Sequence, residues 1–215
     1  NPKSQIHQSY FMVGFFFAIW QLMYFIGWYV NREEITTQFW HRIGYAGVNF
    51  LPIVMFDYVV KFLNLKKIVW WSRLNFLYGL VIAYLIIYTD YIMSCLLQYH
   101  WGVYPKAGYW HPVFLIYFNL MLTFVNVFLF IWSFYKKDLN WRYRNQIRYV
   151  FIAFFIACLG DVDFLPNYGE KFYPLNFYYY PPFLYFRHFC LAARYFLYYY
   201  SGYLRPYCRK NYQLF

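Results

Sequence analysis

His100 and His111 are the first residues in this chain whose type and spacing invite a chemical reading. They bracket "HWGVYPKAGYWH", a stretch of Trp, Tyr, Gly, Pro and Lys between long apolar runs. Paired imidazoles suit a metal ion, but zinc ligands usually stand closer in sequence or come with Cys or acidic partners. No carboxylate lies within 99–112 to orient either ring. The expectation is therefore two polar histidines at a membrane border, and no metal. Trp101 and Tyr104 stand beside them, while Asp161, Asp163 and Asn167 fall in "GDVDFLPNYGEKFYP". These residues are the ligand-binding candidates. Asp161 and Asp163 offer the oxygens a hard cation wants, though without a full calcium-loop pattern.

A second group lies within the apolar runs: Asp57, Asp90, Arg187, His188 and Arg194. Ionisable residues inside a bilayer are costly, and they mark functional paths by default. Arg187 and Arg194 are two helical turns apart and share a face. An Asp57–Arg187 pair would neutralise both, and a structural pair or snorkelling arginines is the plainer expectation. A haem or pigment would need a histidine such as His188 or His111, with a partner at matching depth. No such pair is evident, so no cofactor is expected. Cys95, Cys158, Cys190 and Cys208 form no C-x-x-C pair and read as small apolar residues. No nucleophile elbow, zincin, phosphate loop or dinucleotide fingerprint occurs, and the chain reads as non-enzymatic.

The elements that must position these residues follow from composition. Of 215 residues, 63% are hydrophobic and only 13% charged. Soluble domains average roughly 45–50% apolar and about 25% charged. Aromatics reach 30%, including 29 Tyr, and these hold mean hydropathy down to +0.30. The chain is thus expected to be an integral membrane protein. Six apolar runs approach the ~20 residues a bilayer needs. They lie near 10–30, 40–63, 74–97, 110–135, 147–165 and 178–200. They neither alternate nor stay short, so strands are not expected. Trp28, Trp40, Trp70, Trp71, Trp101, Trp110, Trp132 and Trp141 mark their borders.

The net charge of +11 suits loop topology better than nucleic acid, which is not expected as a partner. One set of flanks carries Lys3, Lys61, Lys66, Lys67, Arg73, Lys136, Lys137, Arg142, Arg144, Arg148, Arg205, Arg209 and Lys210. The opposite set carries Arg32, Arg42, Lys106 and Lys171. The bias predicts both termini in the cytoplasm, with 99–112 and 161–177 facing outward.

Three ordered segments carry a resemblance. They are "FWHRIGYAGVNFLPIVMFDYVVKFL" (39–63), "HWGVYPKAGYWHPVFLIYF" (100–118) and "RNQIRYVFIAFFIACLGDVDFLPNYGEKFYPLNF" (144–177). Together they resemble the seven-helix membrane sensor domain at the N-terminus of some bacterial histidine kinases and cyclases, over roughly 39–200. The resemblance implies a sensor fold in a bacterial cytoplasmic membrane. It also implies shared structure at Trp101, Gly102, Tyr104, Gly108, Asn145, Gln146, Arg148, Pro166 and Gly169. Two departures accompany it. The family's first helix is expected to be missing before Tyr10, and the kinase or cyclase output is expected to be missing, in another chain or in a removed segment.

The resulting expectation is an all-α, six-span polytopic bundle forming one membrane domain over 1–215. It would act as a non-catalytic module of the sensor type with input at the outward face. The rival is a structural or accessory subunit of a larger membrane complex. Expected partners are the lipid bilayer and other membrane proteins or a second copy.

Overall fold

A helix rises 1.5 Å per residue, so about 20 residues cross the ~30 Å hydrocarbon core. The computed structural model describes residues 4–27, 34–135 and 140–171. Among these, four helical stretches are long and apolar enough to cross a membrane: Thr36–Phe62, Lys66–Tyr88, His111–Phe134 and Trp141–Tyr168. The protein is mostly helical, with candidate membrane spans. The expected count of six is not met, and the run near 178–200, with Arg187, His188 and Arg194, lies outside the described residues. The run near 10–30 falls on α1 (Gln5–Phe25), a helix of 21 residues. Its length suffices, but Gln8, Ser9 and Gln21 keep it less apolar than the four.

Helix α2 (Glu34–Phe62) is central. It packs along α1 and α3 (Val69–Tyr88) and also meets both strands and α4 (His111–Phe134). Small residues let its neighbours approach. A Cβ added at Gly44 would lie 2.6 Å from the Tyr24 ring, and one at Gly79 of α3 would collide with Ile53 Cδ1. Asn49 Nδ2 donates to the Gly79 carbonyl at 2.9 Å, tying α2 to α3. Helix α4 carries a π-helical segment, Leu120–Val125, where the extra residue per turn frees carbonyls of Met121 and Leu122 for the buried Asn126 amide. Helix α5 (Trp141–Cys158) runs on as a 3-10 helix, Leu159–Tyr168, closed by Gly169 in the left-handed region.

The third apolar run does not stay helical to Leu97. Helix α3 stops at Tyr88, and Asp90, expected within the span, lies in the link beyond it. A β-hairpin follows, which corrects the expectation of no strands. Strand β1 (Met93–Tyr99) pairs antiparallel with β2 (Gly102–Ala107), Leu97 opposite Tyr104 and Tyr99 opposite Gly102. His100 and Trp101 form the two-residue loop, and Gly102 at φ 143° supplies a conformation that L side chains resist. Ile92-Met93-Ser94-Cys95-Leu96-Leu97 is apolar enough to prolong a helix by composition. Its neighbour across Tyr-His-Trp-Gly makes it a strand, because pairing satisfies the backbone groups. Cys95 is exposed on it, unlike the small buried residue expected.

Candidate functional site

The hairpin sits against the end of the bundle formed by the start of α2, the start of α4 and the 3-10 helix. Arg42, at the first turns of α2, anchors it from below. Its guanidinium donates to the carbonyls of Ile86 (3.2 Å), Ile87 (3.3 Å) and Thr89 (2.6 Å), and it pairs with Asp90. The first two are among the last carbonyls of α3, which no helical N–H can reach, and the third belongs to the residue that caps it. A cation there also opposes the negative end of the helix dipole. Arg42 is nearly buried while the Asp90 carboxylate is 75% exposed, so the carbonyls, more than the acid, hold the arginine. Gln38 Nε2 donates to the Ser94 carbonyl at 2.8 Å, adding a second tie between α2 and β1.

Behind the hairpin lies a buried polar junction around His111. The ring is fully buried at the first turn of α4. Its Nε2 meets Tyr45 Oη of α2 and Asn167 Nδ2 of the 3-10 helix, the latter at 3.0 Å. Its Nδ1 meets Tyr168 Oη at 2.7 Å. Asn167 Nδ2 also donates to Tyr45 Oη at 2.7 Å. Two donors therefore converge on Nε2. That makes Nε2 the acceptor and leaves the ring proton on Nδ1, donated to Tyr168. The rings of Phe114 and Phe164 lie 5.8 and 6.1 Å from the imidazole and wall the junction off.

The hairpin is pinned to the same 3-10 helix. Tyr104 Oη donates to the Asp163 carbonyl at 2.7 Å, and Tyr99 Oη donates to the Pro166 carbonyl at 2.5 Å. Trp101 stacks flat on Tyr99, with ring centroids 4.7 Å apart. Burial pushes the Tyr104 phenol well above its ordinary range, helped by Tyr24 and Asp163. Burial also raises Tyr99. Both are fixed as donors. At the base of the hairpin, a Cβ at Gly108 would collide with the carbonyl oxygens of Asp90 and Tyr91, so only glycine lets the chain close there.

The candidates named from residue type and spacing separate clearly in space. Trp101, Tyr104, His111, Asp163 and Asn167 belong to this one end of the molecule. His100 does not join His111: it is exposed at the hairpin tip, while His111 is buried beneath. His111 is the first residue of α4, at one end of a candidate span, with its ring buried. Both His111 nitrogens hydrogen-bond to protein side chains. Among the described residues no three His, Cys, Asp or Glu side chains come together as a metal site. Asp163 is buried, with Asp161 only half-buried on the same 3-10 helix. Asp57 pairs with Lys61 on α2 at 2.6 Å and accepts from Ser9 Oγ at 2.5 Å.

Tyr45, Arg42 and Gln38 do not stand out in the sequence as site residues. Tyr45 is one of many tyrosines, and it is set apart only by its place three residues after Arg42 in the first segment that carries the family resemblance. Arg42 does carry a signal, as a lone arginine four residues after Gln38 at the start of an apolar run. Comparisons with protein-family models, curated proteins and solved structures return no match.

Proposed function

We propose that the chain is a non-catalytic integral membrane module of the sensor type, taking its input at the face formed by the β-hairpin. The observation that carries this reading is the His111 junction. A single imidazole hydrogen-bonds to α2 and to the 3-10 helix, and the hairpin is bonded to that same 3-10 helix. A load on the hairpin therefore reaches two membrane helices, α2 and α4, through directional bonds in a dry setting. Such bonds break or hold as units and do not stretch gradually. The charge bias supports an outward hairpin, with the Lys61, Lys66 and Lys67 end in the cytoplasm. The resemblance to bacterial sensor domains supports the cytoplasmic membrane of a bacterium as the location.

A second reading has its own observation. Phe76, Tyr84, Phe124, Phe128, Trp132 and Phe155 are exposed along α3, α4 and α5. Aromatic faces of this extent suit helix–helix contact in a larger assembly, which favours an accessory subunit. Native mass spectrometry from mild detergent separates the two. A sensor module is recovered alone or as a homodimer. Stoichiometric recovery with other proteins favours the subunit and removes the sensor reading, and recovery only as a monomer removes the subunit.

A further inference from the structure

At the end of the bundle opposite the hairpin, α1 begins beside the last turn of α2. A cleft of about 280 Å³ opens there, lined among others by Ser4, Gln5, Lys61, Asn64, Lys66 and Val69. That volume is at the small end for a ligand pocket, about 300 Å³ upward. It suits a headgroup more than a whole lipid.

The shape has a local cause. Asn64, at φ 54°, is the non-glycine residue in the left-handed region among those described. It reverses the chain after α2, with Asn64 N–H donating to the Lys61 carbonyl at 3.1 Å and Leu65 N–H to the Val60 carbonyl at 2.9 Å. Lys61 and Lys66 thereby line one cleft from two different helical elements.

The polar groups are arranged for an anion. Lys61 Nζ is held by Asp57 Oδ2 at 2.6 Å and by Ser9 Oγ at 2.9 Å. An ammonium has three N–H donors, so one is left over from these two bonds, and Lys61 is among the residues that line the cleft. Asp57 cancels the Lys61 charge, and the net positive charge comes from Lys66, exposed at the rim. Ser4 makes no side-chain capping bond to α1, leaving its hydroxyl for the cleft. The cleft also lies at the N-terminal, positive end of α3. One turn further on, Trp70 and Trp71 are 51% and 48% exposed with rings 4.4 Å apart. Paired exposed indoles next to lysines mark the headgroup level of a bilayer.

We infer that this cleft binds a phosphate-bearing anion, with Lys66 supplying the attraction, Lys61 a held ammonium, and Ser4 and Asn64 polar side chains at its lining. Phosphate oxygens accept several hydrogen bonds, and lysine serves them as a point charge. The adjacent indoles make a lipid phosphodiester the natural source, and a soluble phosphate compound shares the same chemistry. None of these features depends on the sensor reading.

The test uses the full chain in detergent with phosphatidylglycerol or phosphatidylcholine, followed by native mass spectrometry and thermal unfolding. Inorganic phosphate is a separate arm. Lys66→Glu changes an exposed side chain, and Lys106→Glu on the hairpin is the matched control. The expected result is one phosphatidylglycerol retained per chain in preference to phosphatidylcholine. Affinity should fall about tenfold or more in Lys66→Glu, since the reversal removes one attraction to the anion and adds one repulsion, and stay unchanged in Lys106→Glu. If inorganic phosphate binds with that same dependence on Lys66, the site stands with a soluble ligand. Equal retention of both lipids without phosphate binding overturns the inference. Equal effects of the two charge reversals overturn it as well.

Discussion

Helices α2 and α3 are close in apolarity, yet the most apolar stretch of the segment Thr36–Phe62 is 78% buried and that of Lys66–Tyr88 only 28%. Hydropathy therefore separates bilayer from water but does not separate centre from rim. What separates them is where small and polar residues fall. Lipid tails are as apolar as leucine, so no hydrophobic drive pulls helices together in the membrane. Close approach and interhelical hydrogen bonds do. In α2, His41, Arg42, Gly44, Tyr45, Gly47 and Asn49 follow one another within two and a half turns, and nearly every neighbour finds a contact there. In α3, Ser72, Gly79, Ala83 and Ile86 hold a single buried stripe, while Leu77, Leu80, Val81 and Tyr84 are left facing outward.

The largest way to break this contrast is Gly79→Leu. The new side chain meets Ile53 and Phe50, both buried residues of α2. Overpacking of this kind costs about 3 kcal/mol, and the variant is expected to fail to accumulate or to unfold at markedly lower denaturant in micelles. His111→Phe comes next. It leaves Tyr45 and Asn167 facing a ring that cannot accept, at a cost of about 2 kcal/mol. A double-mutant cycle with Tyr45→Phe should show coupling of about 1 kcal/mol, where independent sites would add.

Asn49→Leu removes the bond to the Gly79 carbonyl and should cost about 1 kcal/mol, in the range measured for interhelical hydrogen bonds in membranes. Leu80→Ala, on the outward face of α3, should change stability by less than about 0.5 kcal/mol. Equal costs for these two would erase the distinction between the helices. A last, smaller effect concerns pH. The Tyr104 phenol is raised by burial, so the folded hairpin favours its protonated form. That stabilisation is complete below the ordinary tyrosine pKa of about 10 and is lost above it. The protection factor of amides across 93–107, the exchange rate relative to a free chain at the same pH, should therefore fall only above about pH 10, and Tyr104→Phe should weaken that dependence, leaving the part due to Tyr99.

The membrane class is legible in the sequence because composition acts on every residue at once. The C-terminal end of α2 is legible too, since Lys61 stands next to it, whereas the helix starts at Glu34, ahead of the border expected at Trp40. The hairpin is not. Ile92-Met93-Ser94-Cys95-Leu96-Leu97 is apolar and directly follows α3, so length alone favours a longer span. The signal against it is the Tyr-His-Trp-Gly turn followed by Val103, Tyr104 and Pro105, a strand pattern that hydropathy averages away. Of the site, His111 and Asn167 stand out by type. Their partnership does not, because Tyr45 stands 66 residues from His111 and no period links them. Arg42 counts as a loop charge by the topology rule. Its real task is at the end of α3, where freed carbonyls outbid water for its donors.

The most direct test of α2 as the centre needs no mutation. A lipid-soluble carbene reagent, photolysed in bilayers holding the unmodified chain, reports which side chains touch lipid when its adducts are mapped by peptide mass spectrometry. Adducts are expected at Leu77, Leu80, Val81 and Tyr84 of α3 and at Ile116, Phe124 and Phe128 of α4, with Ile53, Val59 and Val60 of α2 left unlabelled. Labelling of α2 at the level of α3 would show that α2 is not the buried centre of the bundle.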